Sequence, residues 1–105
     1  MTDKIVLLST CASPEEAERV ARRLVESRLA ACVNIVPAVR SIYRWQGAIE
    51  DSVEVLLVIK SRRELLDAIR RAVEETHSYS VPELVALPIV GGNEAYLDWI
   101  DQETR

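Results

Sequence analysis

From Ala31 to Ser61 the chain runs almost without a break through β-branched and aromatic residues, interrupted by Pro37 and by Gln46-Gly47 between Trp45 and Ala48. A segment of this kind, with one turn dipeptide near its middle, predicts a long β-hairpin, and no other feature restricts the fold as much. Extended throughout, Ala31 to Trp45 would reach about 45 to 50 Å at roughly 3.3 Å per residue. A chain of 105 residues folds to a body only about 35 Å wide, so the hairpin must overhang it. Its distal stretch then presents Ile42, Tyr43 and Trp45 with no helix of the same chain to bury them, and a patch of that sort marks an interface, unless Pro37 bends the strand back onto its own domain. In the second arm Val53, Val55, Leu57 and Ile59 share one face, while Leu56 and Val58 make the other face apolar as well. Both faces of that strand are therefore predicted to be covered.

The segments around the hairpin complete one domain spanning residues 1 to 105. Lys4 to Thr10 reads as a short apolar strand, and Ser13-Pro14-Glu15-Glu16 as a helix start, with Ser13 as N-cap, Pro14 in the first helical position and Glu16 closing a capping box. Ala17, Val20, Ala21, Leu24 and Val25 then follow helical spacing to about Ser27. Ser61 and Glu64 read as a second capping box, opening a helix through Leu65, Leu66, Ile69, Ala72 and Val73 that ends near Thr76. Val81 to Val90 reads as an edge strand, because Pro82 and Pro88 cannot donate to a ladder. Asn93 is placed to cap a last short helix carrying Tyr96, Leu97 and Ile100. The order β-α-β-β-α-β-α predicts an α+β, ferredoxin-like sandwich with an extended hairpin and a C-terminal helix. Right-handed crossovers give an antiparallel sheet with spatial order 4-1-3-2.

Composition removes several functional classes. A net charge of −4 argues against nucleic acid as a main partner, since phosphate binding needs a basic face. The apolar run from Ile5 to Leu8 is too short for a membrane span or a signal segment, which predicts a cytoplasmic protein. Cys11 and Cys32 lack the spacing of a zinc knuckle or a redox pair and are expected to be free thiols. No phosphate-binding loop, metalloprotease or serine-nucleophile motif is present, and no enzymatic activity is expected.

The candidate chemistry converges at one sheet edge. The first strand ends near Cys11, the second helix near His77, and the last main strand begins near Glu83; this topology brings the three ends together. The helix C-terminus and the neighbouring Glu74 and Glu75 favour cations there. A thiol, an imidazole and a carboxylate suit copper, zinc or nickel, whereas the same residues could equally be a core thiol, a carbonyl-capping histidine and a surface charge. Lys60 could anchor an anion or simply extend to solvent, and Tyr43 and Trp45 could stack on a ligand or pack on a neighbour. An isomerase using His77 and Glu83 as acid and base ranks below both metal and ligand binding.

The segments LAACVN, SIYRWQGAIEDSVEVLLVIK, HSYSVPELVALPI and GNEAYLDWI, in that order, resemble the CutA divalent-cation-tolerance family over almost the whole chain. The resemblance implies a ferredoxin-like homotrimer whose hairpins pack on neighbouring subunits, and binding of divalent cations, copper(II) foremost, with no organic cofactor. His77 and Glu83 are the implied ligands, with Cys11 beside them. Tyr43, Trp45, Lys60 and Tyr79 are the implied lining of an intersubunit cleft. The architecture is also similar to that of trimeric nitrogen-regulatory signalling proteins, which gives an alternative role as a sensor of a small metabolite. Where the family reads His-Pro-Tyr, this chain has His77-Ser78-Tyr79, and a serine there is expected to loosen the turn.

Overall fold

The computed structural model describes residues 2–105. Its elements are β1 (Lys4–Cys11), α1 (Pro14–Glu26), β2 (Cys32–Trp45), β3 (Ala48–Arg62), a 3-10 turn (Arg63–Leu65), α2 (Leu66–Thr76), β4 (Val85–Pro88) and α3 (Glu94–Glu103). The sheet order is β2-β3-β1-β4, the expected order read from its other edge, and every neighbouring pair is antiparallel.

β2 and β3 form the long hairpin. Gln46 and Gly47 both take positive φ, 51° and 84°, as a two-residue hairpin turn matched to strand twist requires. One extra residue sits in β2 between Val36 and Val39, a bulge beside Pro37, where the ladder loses a donor anyway. The hairpin gives the molecule its long axis, 44 Å against 25 and 23 Å.

Alternation along β1 and β3 sends Ile5, Leu7, Ser9 and Cys11, with Val55, Leu57, Ile59 and Ser61, to one face. There Val20 and Leu24 of α1 and Ile69 and Val73 of α2 seal them, and all four helix residues are buried. Ser9 spends its hydroxyl on the Glu83 carbonyl at 2.7 Å, and Ser61 on the Leu29 carbonyl at 2.6 Å. The opposite face carries Val6, Leu8, Leu56 and Val58, half-buried, and Val36, Val85 and Leu87, exposed. α3 covers only one end of it: Ile100 is fully buried, Lys4 pairs with Asp101 at 3.4 Å, and Arg62 donates to Thr104 Oγ1 at 2.8 Å. Asn93 Oδ1 accepts from the N–H groups of Ala95 and Tyr96, so the expected cap of this helix is present. No helix among the described residues is long and apolar enough to cross a membrane.

Three local expectations are corrected. The second capping box does not form, because β3 keeps its pairing with β1 out to Arg62 opposite Lys4. Ser61 is thereby a buried strand residue, Glu64 pairs with Arg62, and α2 begins only at Leu66 after the 3-10 turn. The last strand is far shorter than Val81 to Val90, with pairing confined to Val85–Pro88. Val25 and Leu66, placed on buried helix faces by spacing, are exposed.

Candidate functional site

At the C-terminal end of β1 three buried side chains meet. Cys11 ends β1, Glu16 lies in the first turn of α1, and His77 is the residue that stops α2. One thiol, one carboxylate and one imidazole ligand atom lie within 4.8 Å of one another. Local chemistry fixes each position. Ser13 Oγ accepts the Glu16 N–H at 3.2 Å, starting α1, while the His77 N–H donates to the Val73 carbonyl at 2.9 Å, closing α2. Arg23 binds Thr76 and Glu75, tying the two helices together at that end.

The hydrogen bonds set the protonation of the ring. Tyr79 N–H donates to His77 Nδ1 at 3.1 Å, so Nε2 carries the proton and donates to the Thr10 carbonyl at 2.6 Å. Glu16 Oε1 stands 3.3 Å from Nδ1. The Glu16 carboxylate accepts twice from Ser78, from its N–H at 2.6 Å and its hydroxyl at 2.8 Å. Burial pushes the Glu16 carboxyl up, but the two Ser78 donors, with Arg19 behind them, outweigh it and hold the group below its ordinary value. Burial, reinforced by the negative charges of Glu16 and Glu54, pushes the Cys11 thiol up to about 11. The sulfur is therefore a neutral thiol near neutral pH. Ser78 anchors the turn to Glu16 through two donors, neither of which a proline at 78 would offer.

Against this cluster lies a cleft of about 620 Å³. Tyr43 and Trp45 of the hairpin, Tyr79 and Glu83 of the α2–β4 loop, and Glu54 and Thr10 of the sheet line it. Tyr79 joins the two regions: its ring packs on His77 with centroids 4.7 Å apart, and its hydroxyl donates to Glu54 Oε2 at 2.8 Å. Burial, with the bond to Glu54 and that group's charge, raises the Tyr79 phenol far above its ordinary value, so it stays a donor. Glu54, an acidic side chain, is buried.

The sequence-predicted site residues thus divide. Cys11 and His77 come together; Glu83 lines the cleft, and the carboxylate beside the other two belongs to Glu16. Tyr43, Trp45 and Tyr79 share the cleft, but Lys60 does not line it; its ammonium binds Asn34 Oδ1 further along the sheet, opposite Cys32. Cys32 and Cys11 are both free. Glu16 escaped sequence reading because it looked like the closing residue of a local cap. Glu54 had a signal, a lone acid within the apolar run Val53 to Ile59.

A four-stranded antiparallel ferredoxin-like sheet with a projecting hairpin and a buried thiol–imidazole–carboxylate cluster at its edge defines a class of small α+β proteins with donors suited to a metal ion. The model of the CutA1 divalent ion tolerance protein family matches residues 5–103, and the chain belongs to that family. It is 50% identical over 94% of its length to the divalent-cation tolerance protein CutA of Thermus thermophilus, covering 96% of that protein. It is 46% identical to the chloroplastic protein CutA 1 of Oryza sativa over 96% of the chain and 57% of that protein; against such longer relatives it spans little more than half their length. The solved structure of the divalent cation tolerance protein from Thermus thermophilus superposes with a TM-score of 0.95 at 48% identity, covering 97% of this chain and 99% of that one.

Proposed function

We propose that the protein is a non-enzymatic homotrimer that binds a divalent cation, copper(II) foremost, and acts in the response to metal ions. The observation that carries this reading is the meeting of Cys11, Glu16 and His77 within 4.8 Å in a chain of a divalent-ion tolerance family. Sulfur, imidazole and carboxylate donors match the softness of copper or zinc, so the residues fit such an ion. When bound, the ion would supply the positive charge that turns a thiol into a thiolate. The chain's own residues determine what entry costs: Cys11 must give up its proton, and His77 must release either the Tyr79 N–H or the Thr10 carbonyl. Assembly is supported by the apolar residues left uncovered on the sheet and the hairpin, among them Ile42, Ile49 and Val53. A reducing compartment such as the cytoplasm suits the two free thiols.

Calorimetric titration of chelator-buffered copper(II) into wild type and His77→Ala tests the metal site. His77→Ala is expected to weaken binding at least tenfold. With the thiol at about 11, release of its proton should strengthen wild-type binding about tenfold per pH unit between pH 6 and 8. Equal affinity in the two proteins removes His77 as a ligand, and a flat pH profile removes Cys11. Native mass spectrometry at micromolar concentration, with and without copper(II), checks for the trimer; a stable single chain would overturn it.

A second reading, a sensor of a small molecule, is favoured by the cleft itself, where three aromatic rings stand around two carboxylates.

A further inference from the structure

The charge and shape of the cleft select a class of ligand. Its titratable side chains are Tyr43, Tyr79, Glu54 and Glu83, and no lysine, arginine or histidine among the described residues lines it. Lys60 is held away by Asn34. Arg40 is engaged by Asp51 in a two-pronged ion pair on the hairpin, and Glu50 stands directly across the ladder from Tyr43, adding negative charge near the rim.

Glu54 is the key group. It is only 7% exposed, Oε2 accepts from the Tyr79 hydroxyl, and Oε1 has no donor among the described residues while the side chain lines the cavity. No side-chain oxygen among the described residues is both buried and unpartnered, so Oε1 is open to the cavity and leaves the carboxylate a free acceptor that a ligand can use. The walls around it are the rings of Tyr43, Trp45 and Tyr79, whose faces attract cations. A bare divalent ion needs several converging oxygen atoms at short range and gains little from aromatic walls or from about 620 Å³ of space. An anion would meet two carboxylates and no cationic side chain among the described lining residues.

We propose that the cleft takes a small organic cation, an ammonium or guanidinium compound, whose charge sits on Glu54 and whose body packs between Tyr43 and Trp45. The proposal rests on the cleft being a ligand site and adds the sign and chemical nature of the ligand. Glu54 receives the cation, Tyr79 positions that carboxylate through its hydroxyl, and Glu83 at the mouth sets a second negative charge along the entry path.

The test uses the assembled protein carrying Trp99→Phe, which leaves Trp45 as the only tryptophan and removes a residue of α3 that does not line the cleft. Benzyltrimethylammonium and benzylguanidine are titrated against benzoate and benzyl alcohol, with Trp45 fluorescence as the readout. The two cations are expected to change the emission saturably and to bind at least tenfold more tightly than benzoate or the alcohol. Glu54→Gln, which still accepts from Tyr79, should weaken both cations at least tenfold and leave the alcohol unchanged. Tyr43→Leu, at an exposed position, should weaken them several-fold through loss of one ring. Saturable binding of benzoate or the alcohol at the cations' affinity overturns the preference for cations while keeping the cleft as a ligand site. Equal cation affinity in Glu54→Gln overturns the role of Glu54. Silence of all four probes overturns the ligand site itself, the cleft then being filled by a neighbouring copy of the hairpin.

Discussion

The two faces of the sheet are made by the same strands and are almost equally apolar, yet they end in opposite conditions. Leu7, Leu57 and Ile59 on the helix-covered face are fully buried, whereas Val85 and Leu87 on the other face remain 49% and 50% exposed. α1 and α2 both lie on the first side, and on the second α3 reaches only the end near Lys4 and Arg62. The first face accounts for folding of the single chain. The second exceeds what one chain can cover, and it continues into the hairpin, where Tyr43 is 42% exposed. From Val55 to Ile59 burial on the first face is complete within the single chain, whereas the second is left partly bare.

The sharpest way to break this contrast is to truncate the same residue type on each side. Leu57→Ala, in the sealed face, is expected to cost about 2 to 5 kcal/mol through lost transfer energy and the cavity left behind, read from urea unfolding. A loss under about 1 kcal/mol would mean that the helices do not seal that face.

The next largest effect lies at the edge where the faces meet. Glu16 is held ionised below its ordinary value of 4.5; its stabilisation is therefore present above pH 4.5 and disappears as pH falls through the lowered native value. Glu16→Gln should cost about 1 to 3 kcal/mol at pH 7 by loss of charged hydrogen bonds, and should flatten the loss of stability between pH 5 and 3. Unfolding curves of the two proteins that keep a constant separation across that range would count against the role given to Glu16.

The smallest effect belongs to the uncovered face. Leu87→Ala should change the stability of the single chain by less than about 1 kcal/mol, yet move dissociation of the assembly to higher protein concentration. Sedimentation at graded concentration reads that shift. If Leu87→Ala left assembly untouched, the second face would not be the one that partners cover.

How far the sequence revealed this depended on the range of each interaction. The hairpin and the caps at Ser13 and Asn93 were legible because alternation, the Gln46-Gly47 turn and N-cap chemistry all act within a few residues, and the strand order because crossover handedness leaves few alternatives. Ser61 and Glu64 imitated a cap because the competing force, the pairing of β3 with β1 as far as Lys4, joins residues far apart in the chain. Glu16 misled for a related reason. Its N–H does serve the cap at Ser13, but its carboxylate reaches across to Ser78, a partner invisible to local spacing. Convergence of Cys11 and His77 followed from topology, whereas which carboxylate would join them depended on how a loop is folded. Lys60 lies away from the cleft of the single chain, its ammonium on Asn34.

The bulge beside Pro37 carries a consequence for the whole arm. Below it, even-numbered β2 residues such as Asn34 and Val36 look toward the uncovered side, opposite Val58 and Leu56; beyond it, odd-numbered ones do, with Val39 opposite Glu54 and Tyr43 opposite Glu50. A single inserted or deleted residue here would invert the parity of everything distal, turning Tyr43 and Trp45 outward and offering Ile42 and Arg44 in their stead. Length changes by twos would preserve the phase, so the arm tolerates growth only in even steps.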